Sequence, residues 1–344
     1  MKAALLPDRG VVKVAGDDAG NFLHGLVSAD VLELTAGQAR FCALLTPQGK
    51  IIVDFIVVAA PASHGGGFLL DVPRTLTATL VQKLNLYKLR SRVMIEDLSE
   101  TLAVVAAWDG APPPYPPLRA GEGSSMFPPP LAGEGSSMFP PPLAGEGSSM
   151  FPPPLAGEGR EGVGLAYADP RLPALGLRLM VPPHLAAAAA AELGAELVAA
   201  SAYEAHRIAL GIPSGGLDFG YNDAFPHEAD MDQLGGVDFT KGCYVGQEVV
   251  SRMEHRGIAR TRTVPVRFDG DAAPAAGAAV MAGERQVGTM GSAADGHGLA
   301  LLRLDRVTDA VSAGLPLLAG GIAIHPVKPD WVRFAFPGES KAAE

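Results

Sequence analysis

FTKGCYVGQEVVSRMEHRG, residues 239–257, combines a cysteine, two closely spaced glycines and a run that suits a helix. Gly242 and Gly246 permit a tight backbone, because glycine reaches conformations closed to residues with a Cβ. From Gln247 the spacing is helical, and Gly257 stands where glycine closes helices. Cys243 then lies in the turn before a helix N-terminus, two residues from Lys241. The positive end of the helix dipole and a nearby ammonium both favour thiolate over thiol, so Cys243 is a candidate reactive residue. A buried structural cysteine is the alternative, because free cysteines are among the most buried residues.

Outward from this segment the chain changes texture. Ala19, Phe22, Leu23, Leu26 and Val27 recur at helical intervals behind Asp17, predicting an amphipathic helix capped by that acid. FCALLT from Phe41 and IIVDFIVVAA from Ile51, separated by PQGK, predict a hairpin. Pro73 opens a second helix with Leu76, Leu80, Val81, Leu84 and Tyr87 on one face, and strands are expected near Val93–Ile95 and Leu102–Ala107. Further on, Leu175–Val181 reads as a strand, Pro183–Ala200 as an alanine-rich helix and Tyr203–Leu210 as another helix, before a loop-rich acidic stretch through Asp238. From Thr261 the short runs TRTVPVRF, AAVMA, QVGTMGS, GLALLRL and GIAIHPV predict a small β-barrel. The fold class is therefore α+β: a body in two parts, 1–109 and 163–260, followed by a barrel over 261–337.

The body is interrupted. Of 30 prolines, 14 fall between Gly110 and Gly162, where LAGEGSSMFPPP stands complete at 131–142 and again at 143–154. Three consecutive prolines per unit form neither helix nor ladder, so residues 110–162 read as a flexible insertion leaning to polyproline II. The net charge of −10 argues against a protein built to coat nucleic acid or an anionic membrane. No run of about 18 apolar residues occurs, and MKAALLPDRG lacks the apolar core of a secretory leader, so no membrane partner and a cytoplasmic location are expected. The two cysteines, Cys42 and Cys243, form no CxxC and have no histidine at metal spacing. No metal site is expected, and one chain cannot supply a complete iron–sulfur ligand set. Neither a GxGxxG or GxxxxGKS phosphate loop nor a GxSxG elbow occurs, which removes the commonest nucleotide-binding and hydrolase readings.

KGCYVGQE, residues 241–248, resembles the signature of the YgfZ family of folate-binding, iron–sulfur-maintenance proteins, relatives of the aminomethyltransferase (T-protein) of the glycine cleavage system. The likeness continues through FLHGLVSADV (22–31), ALLTPQGKIIVDF (43–55), LYKLRSRVMI (86–95), RIALGIP (207–213), VGTMGS and LALLRL. It implies an aminomethyltransferase-like body that binds tetrahydrofolate or a derivative, followed by a barrel. It implies a role in assembling or repairing iron–sulfur clusters in certain enzymes, including tRNA-thiolating ones. The expected partners are folate and iron–sulfur client enzymes or assembly machinery, with tRNA concerned only indirectly. Cys243 is the residue this role would need, within the motif Lys241, Gly242, Gly246, Gln247 and Glu248.

Asp54 interrupts the otherwise apolar IIVDFIVV, and a buried carboxylate is costly without a partner, be it a structural donor or a polar ligand. In the related aminomethyltransferases this strand carries an Asp-Asp pair that assists methylene transfer to folate; here the pair reads Val53-Asp54. One carboxylate is missing, which weakens the case for aminomethyl transfer and leaves a folate-dependent one-carbon transferase using Asp54 as the alternative. Arg90 and Arg92 on one side of the cysteine segment, and Arg252, His255, Arg256, Arg260 and Arg262 on the other, are either solvated or poised to meet anions such as folate carboxylates. Tyr203, Phe225 and Tyr244 offer aromatic faces for a pterin. The expected folate contacts are Asp54, Arg90, Tyr203, Arg207, Tyr244 and Arg252.

Overall fold

The computed structural model describes residues 1–109, 164–257, 259–270 and 272–336, so the repeat insertion expected over 110–162 lies outside the described residues. The first part of the body runs β1 (Lys2–Leu6), β2 (Arg9–Ala15), α1 (Ala19–His24), β3 (Ala39–Leu45), β4 (Ile51–Ala59), β5 (Phe68–Pro73), α2 (Thr77–Lys88), β6 (Met94–Asp97) and β7 (Ala103–Trp108). The second runs β8 (Leu165–Ala168), β9 (Leu177–Val181), α3 (Ala186–Glu192), β10 (Glu196–Leu197), α4 (Ala200–Ala209) and α5 (Gln247–Arg256). Two five-stranded sheets result, in the orders β3-β4-β5-β2-β6 and β10-β1-β7-β9-β8.

Side chains alternate between the faces of a strand, and β4 shows what each face meets, because all nine of its residues are buried. Val53, Phe55 and Val57 pack with Leu23 of α1 and with Leu80 and Leu84 of α2. Ile56 and Val58 pack the other way, with Leu6 of β1 and Val104, Ala106 and Trp108 of β7. The outer face of the second sheet, through Ala3, Val105, Leu179 and Val181, is covered by the alanines of α3. The body is thus four layers, helix, sheet, sheet, helix, with its largest apolar cluster between the sheets.

That central layer also holds charge. Arg178 of β9 donates to Asp71 of β5 (Nη1 to Oδ2, 2.6 Å), to Asp169 (Nε to Oδ2, 2.9 Å) and to the Tyr203 hydroxyl (3.0 Å). Arg9 of β2 donates to Asp71 Oδ1 at 2.6 Å, Tyr167 of β8 donates to Asp71 Oδ2 at 2.9 Å, and Arg171 pairs with Asp169 at 2.7 Å. Arg178, Asp71 and Asp169 are buried, so these bonds join the two sheets where no water can substitute.

The C-terminal strands β11 (Thr261–Phe268), β12 (Ala279–Ala282), β13 (Arg285–Ala294), β14 (His297–Arg303), β15 (Leu317–Ala319) and β16 (Ile322–Pro326) close a barrel in the order β11-β14-β13-β12-β15-β16, with α6 (Leu304–Ser312) between β14 and β15. The α+β body with a C-terminal barrel agrees with the sequence reading. Two helices are shorter than expected. Gly194, at φ +65°, turns the chain after α3, and Glu196 and Leu197 then pair in parallel with Lys2 and Ala3, so the expected helix 183–200 breaks in two. The first helix stops at His24, because Val27 bridges to Leu44 at the sheet edge.

Burial alone would push the Asp71 and Asp169 carboxyls up, but the flanking Arg9, Arg171 and Arg178 hold both below the usual carboxylate range. Carboxyls lowered in the folded state stabilise it fully above their unfolded pKa of about 4, and that stabilisation is lost as pH falls through the lower folded values. Stability to urea is therefore expected to decline as pH is taken below about 4. Arg178→Met should cost about 3–5 kcal/mol at neutral pH, because it strands buried carboxylates, and should make the acid decline shallower; an unchanged urea midpoint would refute the stapling role.

Candidate functional site

The cysteine segment is fastened at both ends. Before it, Asp238 Oδ1 accepts from Thr240 N (2.8 Å), Thr240 Oγ1 (2.7 Å) and Lys241 N (3.1 Å), a turn that aims Lys241 inward. The Lys241 ammonium donates to three backbone carbonyls at the end of α1 and just beyond: His24 (2.6 Å), Val27 (2.7 Å) and Ala29 (3.1 Å). His24 ends α1, so its carbonyl has no helical partner, and a cation beside a helix C-terminus is favourable. Burial lowers the Lys241 ammonium from its ordinary range. After the segment, Gly246 adopts φ +85°, and a Cβ there would come within 2.5 Å of the Thr46 carbonyl oxygen. Gly49, at φ +80°, faces it in the β3–β4 turn, so helix α5 begins in direct contact with the hairpin. Gly49 of PQGK and Gly246 of KGCYVGQE are thus packed directly together.

Between these anchors Cys243 is exposed, whereas Cys42 is buried in β3 and burial pushes its thiol up. The expected ammonium beside the thiol takes a different form here, because Lys241 spends its donors on carbonyls. His24, whose Nδ1 lies 3.2 Å from Asp30 Oδ1, is the polar side chain nearest the Gly242 position, its Nε2 4.0 Å from where a Cβ would stand. Tyr244 is buried beneath, its ring 5.2 Å from the Lys241 ammonium. Its hydroxyl has no hydrogen-bond partner among the described residues, and burial together with the Asp238 charge pushes it up to about 12.

Asp54 is buried on β4 and accepts a 2.5 Å hydrogen bond from the Tyr221 hydroxyl. Tyr221 packs against the inter-sheet cluster that contains Tyr203 and Tyr244, so three of the expected folate contacts share one core region. Tyr203 is a core residue, in edge contact with Trp108 at 5.4 Å and bonded to Arg178. Arg207 is buried and committed to Asp218 (2.9 Å), Glu204, the Ile212 carbonyl and Ser292 Oγ of the barrel (3.0 Å), so it fastens α4 to β13. Arg90 is exposed, in a surface hollow with Asp18, Leu89 and Ser91. Arg252 is exposed and pairs with Glu248 one helical turn away at 2.6 Å. Gln247 is half-buried at the first turn of α5. Among the described residues neither Arg90 nor Arg252 is bonded to Asp54, Tyr221 or Tyr244. Arg262, grouped in the sequence with solvated or anion-seeking arginines, is instead buried and paired with Asp232 (2.6 Å) and Asp230 (3.4 Å). Tyr221 was not singled out in the sequence; the unpaired acid in β4 signals that a partner exists, but not that it lies 167 positions away.

Comparison with known proteins places these features among relatives. Residues 260–334 match the family model described as CAF17, C-terminal beta-barrel domain. The chain is 34% identical over 283 residues to a protein of Mycosarcoma maydis named iron–sulfur cluster assembly factor IBA57 homolog, mitochondrial, covering 78% of this chain and 57% of that protein. It is 28% identical to the mouse iron–sulfur cluster assembly factor IBA57, mitochondrial, covering 95% of this chain and 84% of that one. The chain therefore spans little more than half the length of the first of these relatives. The fold matches a crystal structure of glycine cleavage system aminomethyltransferase T from Bartonella henselae, with a TM-score of 0.66 at 16% identity, covering 96% of this chain and 86% of that one. The expectation of a cytoplasmic location is overturned, because these relatives are named mitochondrial. Its grounds, the lack of an apolar leader and of a membrane span, bear on secretion and insertion and leave import into an organelle untested. In sequence the chain is thus similar to iron–sulfur cluster assembly factors, and in architecture it has the aminomethyltransferase fold with a CAF17-type barrel.

Proposed function

We propose that the chain serves iron–sulfur cluster assembly, presenting Cys243 to a cluster-bearing partner while a reduced folate is held against Asp54. The observation that carries this reading is the contrast between the two thiols: Cys243 is exposed on a segment pinned by Lys241 and Gly246, and Cys42 is sealed in a sheet. With one reachable thiol, the chain contributes a single sulfur ligand to a cluster, and the remaining ligands come from another protein or a small molecule. The names of the relatives support the assembly role, and the likeness of residues 241–248 to the YgfZ signature supports the part given to Cys243 and to folate. Client enzymes that thiolate tRNA would follow from the same likeness.

Two core groups support a pterin as the ligand. The adjacent ring N–H groups of a pterin suit a buried carboxylate such as Asp54, and the buried Tyr244 hydroxyl lacks a partner among the described residues. One-carbon transfer has less support. Val53 is buried among the residues that face α1 and α2, so the strand supplies no second acid beside Asp54, whose Oδ1 is held by Tyr221.

Cys243→Ser is expected to unfold in urea like the parent chain and to lose support of an iron–sulfur enzyme in cells; full support from this variant would sink the role given to the thiol. In the folded parent, iodoacetamide should label Cys243 and spare Cys42. Tetrahydrofolate should bind the purified chain and bind Asp54→Asn at least about tenfold more weakly, the cost of about 1.4 kcal/mol for one weakened charge-assisted hydrogen bond. No turnover is expected when a methylene donor is added, and turnover abolished by Asp54→Asn would establish the transferase instead.

A further inference from the structure

A second group of ligand-bearing side chains stands toward the other end of α5, outside the cysteine segment and the folate contacts. Glu254, on the last turns of α5, lies 3.0 Å by its Oε2 from Nε2 of His227. One donor atom each from His227, Asp232 and Glu254 falls within 4.8 Å of the others. A first-row divalent ion with bonds of about 2.0–2.2 Å holds its ligand atoms roughly 3–4.3 Å apart, so small side-chain adjustments bring the three into one shell.

Independent features of the surroundings also call for a cation. His227 is 1% exposed, and its Nδ1 has no partner among the described residues. Asp230 is fully buried beside the group: its Oδ1 lies 3.4 Å from Arg262 Nη1, the same nitrogen that donates to Asp232 Oδ1 at 2.6 Å, and its Oδ2 has no partner. Two buried carboxyl groups, Asp230 and Asp232, therefore share one guanidinium, which also donates to the His227 carbonyl at 2.8 Å. Buried polar atoms without partners are costly, and a bound ion with its waters supplies partners for them.

We propose that His227, Asp232 and Glu254 bind a divalent first-row transition ion, with water completing its coordination beside the buried Asp230. One imidazole and two carboxylates make a borderline-hard donor set, suited to Zn(II), Co(II), Mn(II) or Fe(II) rather than to thiolate-seeking ions. The ion would tie α5 to the 225–232 loop. Thr263 of β11 already donates to the Glu228 carbonyl of that loop at 3.0 Å, so the tie reaches the barrel. The site uses neither Cys243 nor Asp54, and its fate is separable from theirs.

The purified full chain, stripped with a chelator, can be titrated with Co(II) and with Zn(II) in parent and Cys243→Ser backgrounds. One ion per chain is expected in both, with a visible Co(II) ligand-field band, no thiolate charge-transfer band and a raised thermal midpoint. Glu254, whose side chain is 44% exposed, tolerates Glu254→Gln, which should weaken binding at least about tenfold; Glu248→Gln on the same helix should leave binding unchanged. Asp232→Asn gives a second disruption. Absence of stoichiometric binding, binding indifferent to both Glu254→Gln and Asp232→Asn, or binding lost in Cys243→Ser would each overturn the proposal.

Discussion

The architecture rests on the buried pairing of Arg178 with Asp71 and Asp169. Two sheets can slide over one another when only apolar side chains separate them, because the hydrophobic effect is non-directional. A guanidinium has fixed donor directions, and Arg178 spends them on residues of both sheets and on the Tyr203 hydroxyl. Replacing such a network with well-packed apolar residues is often neutral or stabilising overall, so its contribution here is read as alignment. The alignment fixes β4 against β7, and β4 carries Asp54 into the same core region as Tyr203 and Tyr244.

Local signals were legible where one element decided its own fate. The hairpin from Phe41 and the helix from Gln247 to Gly257 follow from alternation, turn residues and a closing glycine, and both are present. Legibility failed where a distant strand decided. β1 and β10 carry little strand character, KAALL and EL, and become strands because β1 finds β7 and β10 then finds β1. The alanine run after Pro183 has high helix propensity, yet Gly194 and the edge of β1 end it early. Propensity is a weak prior beside such pairing.

The site divides in the same way. Cys243 and its glycines were visible because the chemistry is written within eight consecutive residues. Arg207 looked like a ligand contact because an arginine shows its charge in the sequence and hides its partners; Asp218, Glu204 and Ser292 already claim it. His227, Asp232 and Glu254 match no spacing motif, since two come from one loop and the third from a helix beyond the cysteine segment.

Gly49 and Gly246 meet face to face, one in the turn of the hairpin and the other at the start of α5, each in a conformation that suits glycine. Two backbones so close leave no slack for either to move alone. The turn that follows β3 and the start of α5 therefore share one tight contact, and a side chain added at either glycine would part the hairpin bearing Asp54 from the segment bearing Cys243.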